Sequence, residues 1–158
     1  MIVLAENKEQ LEHIRRLFRE YERFLGEDLH FQKFEEELAN LPADYGPPDG
    51  VLLLLMEDGK AVGCGALRRL DEGVCELKRL FIQPEIRGRG LGRQMVRRLI
   101  DEAVRLGYNR MVLDTLDRLD AANRLYRSMG FVQTEPYYHN PLKGVLYWEL
   151  DLRKYKNR

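Results

Sequence analysis

Three alternate glycines, Gly88, Gly90 and Gly92, lie between a stretch with strand character and a long amphipathic helix pattern, with Arg87 and Arg89 among them. Glycine lets backbone N–H groups turn outward and approach a ligand closely. Amides at the start of a strong helix are unpaired and sit at the positive end of its dipole, so together they make an anion site. A pyrophosphate is the natural guest. The spacing is not the Gly-x-Gly-x-x-Gly of dinucleotide folds, and no Gly-Lys-Ser/Thr follows it. Nicotinamide cofactors and nucleoside triphosphates are therefore disfavoured. From the residues alone, a solvated turn that caps a helix with glycine stays open as the plain alternative.

The segments around this loop define the architecture. Downstream, Leu91, Met95, Val96, Leu99, Ile100, Ala103 and Val104 share one helical face, and Gly107 is placed to end that helix. Upstream, the unbroken apolar run Val51 to Met56 reads as an interior strand, and Asp58-Gly59 as a two-residue hairpin turn. That turn sets Glu57 opposite Lys60 and Leu55 opposite Val62. Residues 60–69 become the partner strand, Asp71-Glu72-Gly73 turns the chain again, and 74–82 is the third strand.

Before this meander, residues 1–5 read as a strand, and Asn7 with Gln10 caps a helix running to about Leu25. A shorter helix is expected from Phe31 to Leu41, then a breaker-rich loop over 41–50. After the long helix come a strand at Arg110–Leu116, a short helix at Asp120–Met129, and strands at 131–134 and 145–150. The fold class is α/β (α+β): a mixed, mostly antiparallel sheet of about six to seven strands flanked by about four helices. A chain of 158 residues suits one domain, 1–158.

Lysine plus arginine number 26, as do aspartate plus glutamate, so no global field draws the chain to nucleic acid. The N-terminus MIVLAENKEQ lacks the pattern of a signal peptide, and charges recur too often for a spanning helix. The cytoplasm is the expected compartment, with no membrane partner. Hairpin pairing would set Cys75 near Arg69 rather than Cys64, so two buried, unbridged thiols are expected.

The segment Arg87-Gly88-Arg89-Gly90-Leu91-Gly92 resembles the Arg/Gln-x-x-Gly-x-Gly/Ala signature of the GNAT superfamily of N-acetyltransferases. Cys75-Glu-Leu-Lys-Arg-Leu-Phe-Ile82 is similar to that family's preceding strand, and Leu125-Tyr-Arg-Ser-Met-Gly-Phe131 to its later Leu-Tyr-x-x-x-Gly-Phe segment. The likeness covers residues 51 to 152. It implies a GNAT-like fold and transfer of an acetyl group from acetyl-coenzyme A to a primary amine, directly within a ternary complex and without a metal. The acceptor stays open between a small-molecule amine and a protein or peptide amine, as does a homodimer. The alternative is a non-catalytic acyl-CoA-binding sensor. A nucleic-acid module using the arginines of 87–98 is disfavoured by the zero net charge and by the lack of interleaved aromatics.

The resemblance also implies roles. The amides around Arg89, Gly90, Gly92 and Arg93 hold the pyrophosphate, with Gly88 in the same loop and the side chains of Arg87, Arg89 and Arg93 adding charge. The strand before the loop splays from its neighbour, and Leu80, Phe81 and Ile82 pair with pantetheine as a pseudo-strand, the Leu80 amide serving as oxyanion donor. Glu76 stands at the spacing of a family general base, its pKa raised by desolvation among Leu77, Leu80 and Phe81. A surface carboxylate paired with Lys78 or Arg68 is the competing reading, and His139 the second candidate base. Tyr126 resembles the tyrosine that protonates the departing thiolate, against the alternative of a half-buried ring with its hydroxyl in solvent. Tyr138 and His139 are candidate acceptor contacts. Many relatives carry an asparagine seven residues before that tyrosine, where this chain has Leu119; Asn123 sits at another offset.

Overall fold

Strand β2 (Val51–Glu57) shows why its sequence carries no polar alternation. Val51, Leu53 and Leu55 face one hydrophobic cluster, while Leu52 and Leu54 face a second on the other side of the sheet. A strand covered on both faces needs apolar residues at every position. The first cluster is built with α3 (Leu91–Arg105) and α4 (Asp120–Ser128), the second with α1 (Lys8–Leu25) and α2 (Phe34–Ala39).

In this computed structural model, which describes residues 1–156, seven strands form one sheet in the order β1-β2-β3-β4-β5-β7-β6. The others are β1 (Ile2–Leu4), β3 (Lys60–Asp71), β4 (Val74–Ile82), β5 (Arg110–Leu116), β6 (Val132–Gln133) and β7 (Val145–Asp151). All neighbours run antiparallel except β4 and β5, which are parallel. The expected sheet and helices are present, in the expected order.

Two local expectations are corrected. Glu57 does pair with Lys60, but Leu55 pairs with Gly63 rather than Val62, because a bulge between Leu55 and Met56 leaves one residue of β3 unmatched. The helix expected over Phe31–Leu41 is broken. A 3₁₀ turn at His30–Gln32 ends on Lys33, whose φ of 57° interrupts helical geometry before α2 begins. That break leaves Gln32 facing β4, where its Oε1 accepts from both Lys78 and Arg79.

Helix α1 starts with the capping box read from sequence: Asn7 accepts from the Gln10 amide at 2.8 Å, and Gln10 Oε1 accepts from the Asn7 amide at 3.0 Å. Cys64 and Cys75 are buried and unbridged. None of the described helices is long and apolar enough to cross a membrane.

The sheet's far half is tied to α4 by Asn123. Its Nδ2 donates to the carbonyls of Leu116 (2.9 Å) and Leu119 (3.0 Å), and its Oδ1 accepts from Trp148 Nε1 at 3.0 Å. The Asn123 and Trp148 side chains are both buried. Asn123→Ala would leave the indole N–H unpaired, at a cost of about 2 kcal/mol. A urea titration followed by fluorescence of the single tryptophan should show a lower midpoint with an unchanged slope.

Candidate active site

β4 and β5 pair over three positions only, Val74 with Arg110, Cys75 with Met111 and Glu76 with Val112. Beyond them both strands continue, to Ile82 and Leu116, without pairing each other. Between them opens a cleft of about 430 Å³, lined by Leu77–Ile82 on one wall and Leu113–Leu116 on the other. It reaches the loop Gly88, Gly90 and Gly92 at one end and Gln32, Asp114 and Asn140 at the other.

The departure coincides with a bulge in β4. Arg79 has a φ of 61°, and Arg79 and Leu80 fall outside the ladder that resumes at Phe81 opposite Cys64. A bulge puts consecutive side chains on one face, so Lys78 and Arg79 both reach Gln32 on the α1/α2 side. Arg79 is anchored at all three nitrogens. Its Nε and Nη2 meet Glu37 at 3.0 and 3.1 Å, its Nη1 meets Gln32 at 2.7 Å, and its guanidinium lies over Phe34.

At the loop end, Gly88 and Gly90 have φ values of 83° and 74°, a region costly to other residues, while a Cβ on either would meet nothing within 4 Å. These glycines are needed for backbone conformation, and the space above them is free. Gly90 is the N-cap of α3 and supplies no side chain to the first-turn amides, so these donors point at the cleft mouth. Arg87 Nε donates to the Ile82 carbonyl at 2.8 Å, and its guanidinium stacks on Phe24 at 4.2 Å. Arg89 and Arg93 are exposed at the rim, paired with Glu57 and Ser128 rather than lining the cleft.

Tyr126, on α4, lines the cleft and is buried, and its hydroxyl has no hydrogen-bond partner among the described residues. Burial, helped by Tyr21 and Asp114 nearby, pushes its phenol above the ordinary value, so it keeps its proton at neutral pH. Leu119 also lines the cleft, just before α4, whereas Asn123 is turned into the core toward Trp148 and offers nothing to a ligand.

Glu76 differs from its expected environment. It is 0% exposed, lies outside the cleft lining, and has both oxygens taken: Oε1 by Arg68 at 2.7 Å and Oε2 by the Tyr137 hydroxyl at 2.6 Å. Burial alone would raise its pKa, but Lys78, Arg68 and Tyr137 together hold the carboxyl below the usual range. The expectation of a carboxyl raised by desolvation is thus reversed, because Lys78 and the cross-strand partner Arg68 stand beside it.

The Tyr137–Asn140 stretch divides by residue. His139 is exposed and borders, with Tyr138, a second depression beside the main cleft. Tyr138 donates to Asp114 Oδ2, which also accepts from Asn140 Nδ2 at 2.8 Å. Tyr21 and Phe24 line the cleft, and Phe31 packs at the edge of the second cluster.

Sequence reasoning passed over Asp114 and Gln32, and took Lys78 only as a partner for Glu76, whereas all three line the cleft, as does Asn140 of the Tyr137–Asn140 stretch. Two signals existed. Asp114 interrupts the apolar strand Met111-Val-Leu-Asp-Thr-Leu, and Lys78-Arg79 sets two cations side by side where strand alternation allows one. Among the described residues no cluster of His, Cys, Asp and Glu is placed to hold a metal.

A mixed sheet whose fourth and fifth strands part opposite a glycine-built helix N-terminus defines the GNAT class of fold. The chain superposes on a GNAT acetyltransferase from Staphylococcus aureus with a TM-score of 0.80 at 20% identity, over 97% of this chain and 99% of that one. A putative acetyltransferase from Salmonella typhimurium, determined with its cofactor acetyl-CoA, matches with a TM-score of 0.66 at 23% identity, over 96% and 93%. The family model of the GNAT acetyltransferases matches residues 11–131, and this chain belongs to that family. An uncharacterized N-acetyltransferase of Schizosaccharomyces pombe is 46% identical over 148 residues, 92% of this chain and 91% of that protein. Another from Dictyostelium discoideum is 30% identical, over 89% and 94%.

Among the described residues, Lys78 is a buried charge in the cleft wall without a carboxylate partner at ion-pair distance. It is 8% exposed, and among the same residues its one side-chain hydrogen bond runs to the neutral Gln32 Oε1 at 3.2 Å. Burial, reinforced by Arg79, lowers its pKa from 10.5 to about 8 despite Glu76 and Asp114. The folded chain therefore holds this proton less tightly than the unfolded chain. The resulting cost, about 3 kcal/mol, is complete below pH 8 and is relieved as pH rises from about 8 toward 10.5. Lys78→Met should raise Tm by several degrees at pH 7, with the gain over the wild type narrowing between pH 8 and 10 in calorimetric scans.

Proposed function

We propose that this protein transfers an acetyl group from acetyl-CoA to a primary amine by direct attack within a ternary complex. The observation that carries the reading is the separation of β4 from β5 in line with the open glycine loop. A diphosphate suits the uncapped amides of Gly88, Gly90 and Gly92, with Arg87, Arg89 and Arg93 at the rim. An extended pantetheine suits the unpaired edge at Leu80, Phe81 and Ile82, which offers main-chain groups as a neighbouring strand would. Bound acetyl-CoA supplies an activated acyl group as a thioester.

The chain's own groups then divide the work. The Leu80 amide, freed from the ladder by the bulge, is the donor for the developing oxyanion. Tyr126 holds a proton on an unpaired hydroxyl and delivers it to the leaving thiolate. Asp114 takes the proton of the incoming amine, held in orientation by Tyr138 and Asn140. Glu76 positions Tyr137 and Arg68 and does not touch the acceptor. Both cysteines lie away from the cleft lining with their thiols pushed up by burial, which disfavours an acyl-cysteine route.

Acetyl-CoA at 100 times its dissociation constant should raise apparent stability by about 2.7 kcal/mol, read as an upward shift in Tm, and Gly90→Val should abolish the shift. In a thiol-release assay over an amine panel, Tyr126→Phe and Asp114→Asn should each lower kcat by about 10²-fold or more. Both should bind acetyl-CoA as the wild type does. Tight acetyl-CoA binding without transfer to any amine would instead make the protein a sensor.

A further inference from the structure

We propose that the acceptor is a free amino acid, its carboxylate received by Lys78 and its amine by Asp114. The inference rests on the acyl-transfer reading and names the substrate class of that same cleft. The parallel register that pairs Glu76 with Val112 places Lys78 opposite Asp114 two residues further on, where the strands have parted. Both side chains line the cleft, and among the described residues no ion pair joins them. One positive and one negative group thus face each other across the gap into which an acceptor must fit.

Their partners sharpen the assignment. An ammonium has three donors, and Lys78 spends one on Gln32 Oε1, an oxygen it shares with Arg79. Among the described residues the remaining donors have no acceptor, although the side chain is more than nine-tenths buried. Arg79 beside it differs in having a carboxylate partner: Glu37 pairs with it through two hydrogen bonds and balances its charge within the protein. A buried cation of this kind is satisfied by an anion brought in from outside. Asp114 shows the opposite asymmetry: Oδ2 accepts from Tyr138 and Asn140, while Oδ1 accepts from neither. A simple alkylamine would satisfy Asp114 and leave Lys78 stranded, and a lysine side chain on a protein would do the same. An amino acid completes both.

The test is equilibrium binding, measured by calorimetry on protein saturated with CoA, so that the signal is independent of turnover. The twenty common amino acids are titrated, and each binder is compared with its carboxamide, which keeps the amine and removes the negative charge. At least one amino acid should bind, at least tenfold more tightly than its amide. Lys78→Met should erase most of that difference while leaving amide binding and CoA binding unchanged, and Lys78→Arg should restore part of it. Failure of all twenty to bind, amides binding as well as acids, or a discrimination that survives in Lys78→Met would each overturn the inference. Acetyl-CoA binding and thiol release with other amines are read separately. The acyl-transfer reading can therefore stand when this inference fails.

Discussion

β4 leaves β5 after three paired residues, shortly before a bulge at Arg79 and Leu80, and the cleft and the glycine loop at its mouth are arranged around that parting. Arg79 sits at the bulge with a backbone conformation that costs a non-glycine residue about 1–2 kcal/mol. The cost is offset by a buried, bidentate pair with Glu37, itself accepting from the Tyr45 hydroxyl at 2.7 Å, and by Gln32 and Phe34. The N-terminal helices are thereby bound to the strand they help to deform. The N-terminal segment, which carries none of the motifs, thus secures the geometry of the strand that leads into the glycine loop.

The two sheet faces do different jobs. On the α3/α4 side lie the glycine loop, the helix it caps and Tyr126. On the α1/α2 side lie Gln32, Lys78 and Asp114, with the Tyr138 hydroxyl linking Gln32 to Asp114 and Gln32 linked to Lys78. The gap between β4 and β5 connects the two, so an acyl donor and an acceptor can meet through the sheet from opposite faces. A seven-strand sheet with unbroken pairing would have sealed one half from the other.

The elements were largely legible in the sequence because each had a local cause: the Asn7–Gln10 box, the Asp58-Gly59 turn, the helical stripe from Leu91 to Val104, the two-faced run of β2. The glycine loop was legible for the same reason. What escaped were consequences of pairing. The offset of Leu55 to Gly63 depends on a bulge, and the break before α2 depends on Lys33 adopting a positive φ beside residues that draw Gln32 toward β4. The pairing of Glu76 with Arg68 across the sheet was foreseen as the competing reading; its burial and its second partner, Tyr137 from a distant loop, were not. Lys78 and Asp114 are far apart in sequence and become a pair only through the parallel register of β4 and β5.

A single carbonyl oxygen, Gln32 Oε1, serves two cations at once. Through Arg79 it belongs to the scaffold, and through Lys78 it belongs to the wall of the cleft. A lineage drifting toward a new acceptor cannot retune that wall without disturbing the anchor of the bulge, so changes at position 32 are screened for folding before they are screened for chemistry. Diversification should then run through Tyr21, Phe24 and Leu142, which border the same cleft without belonging to the polar anchor of the bulge.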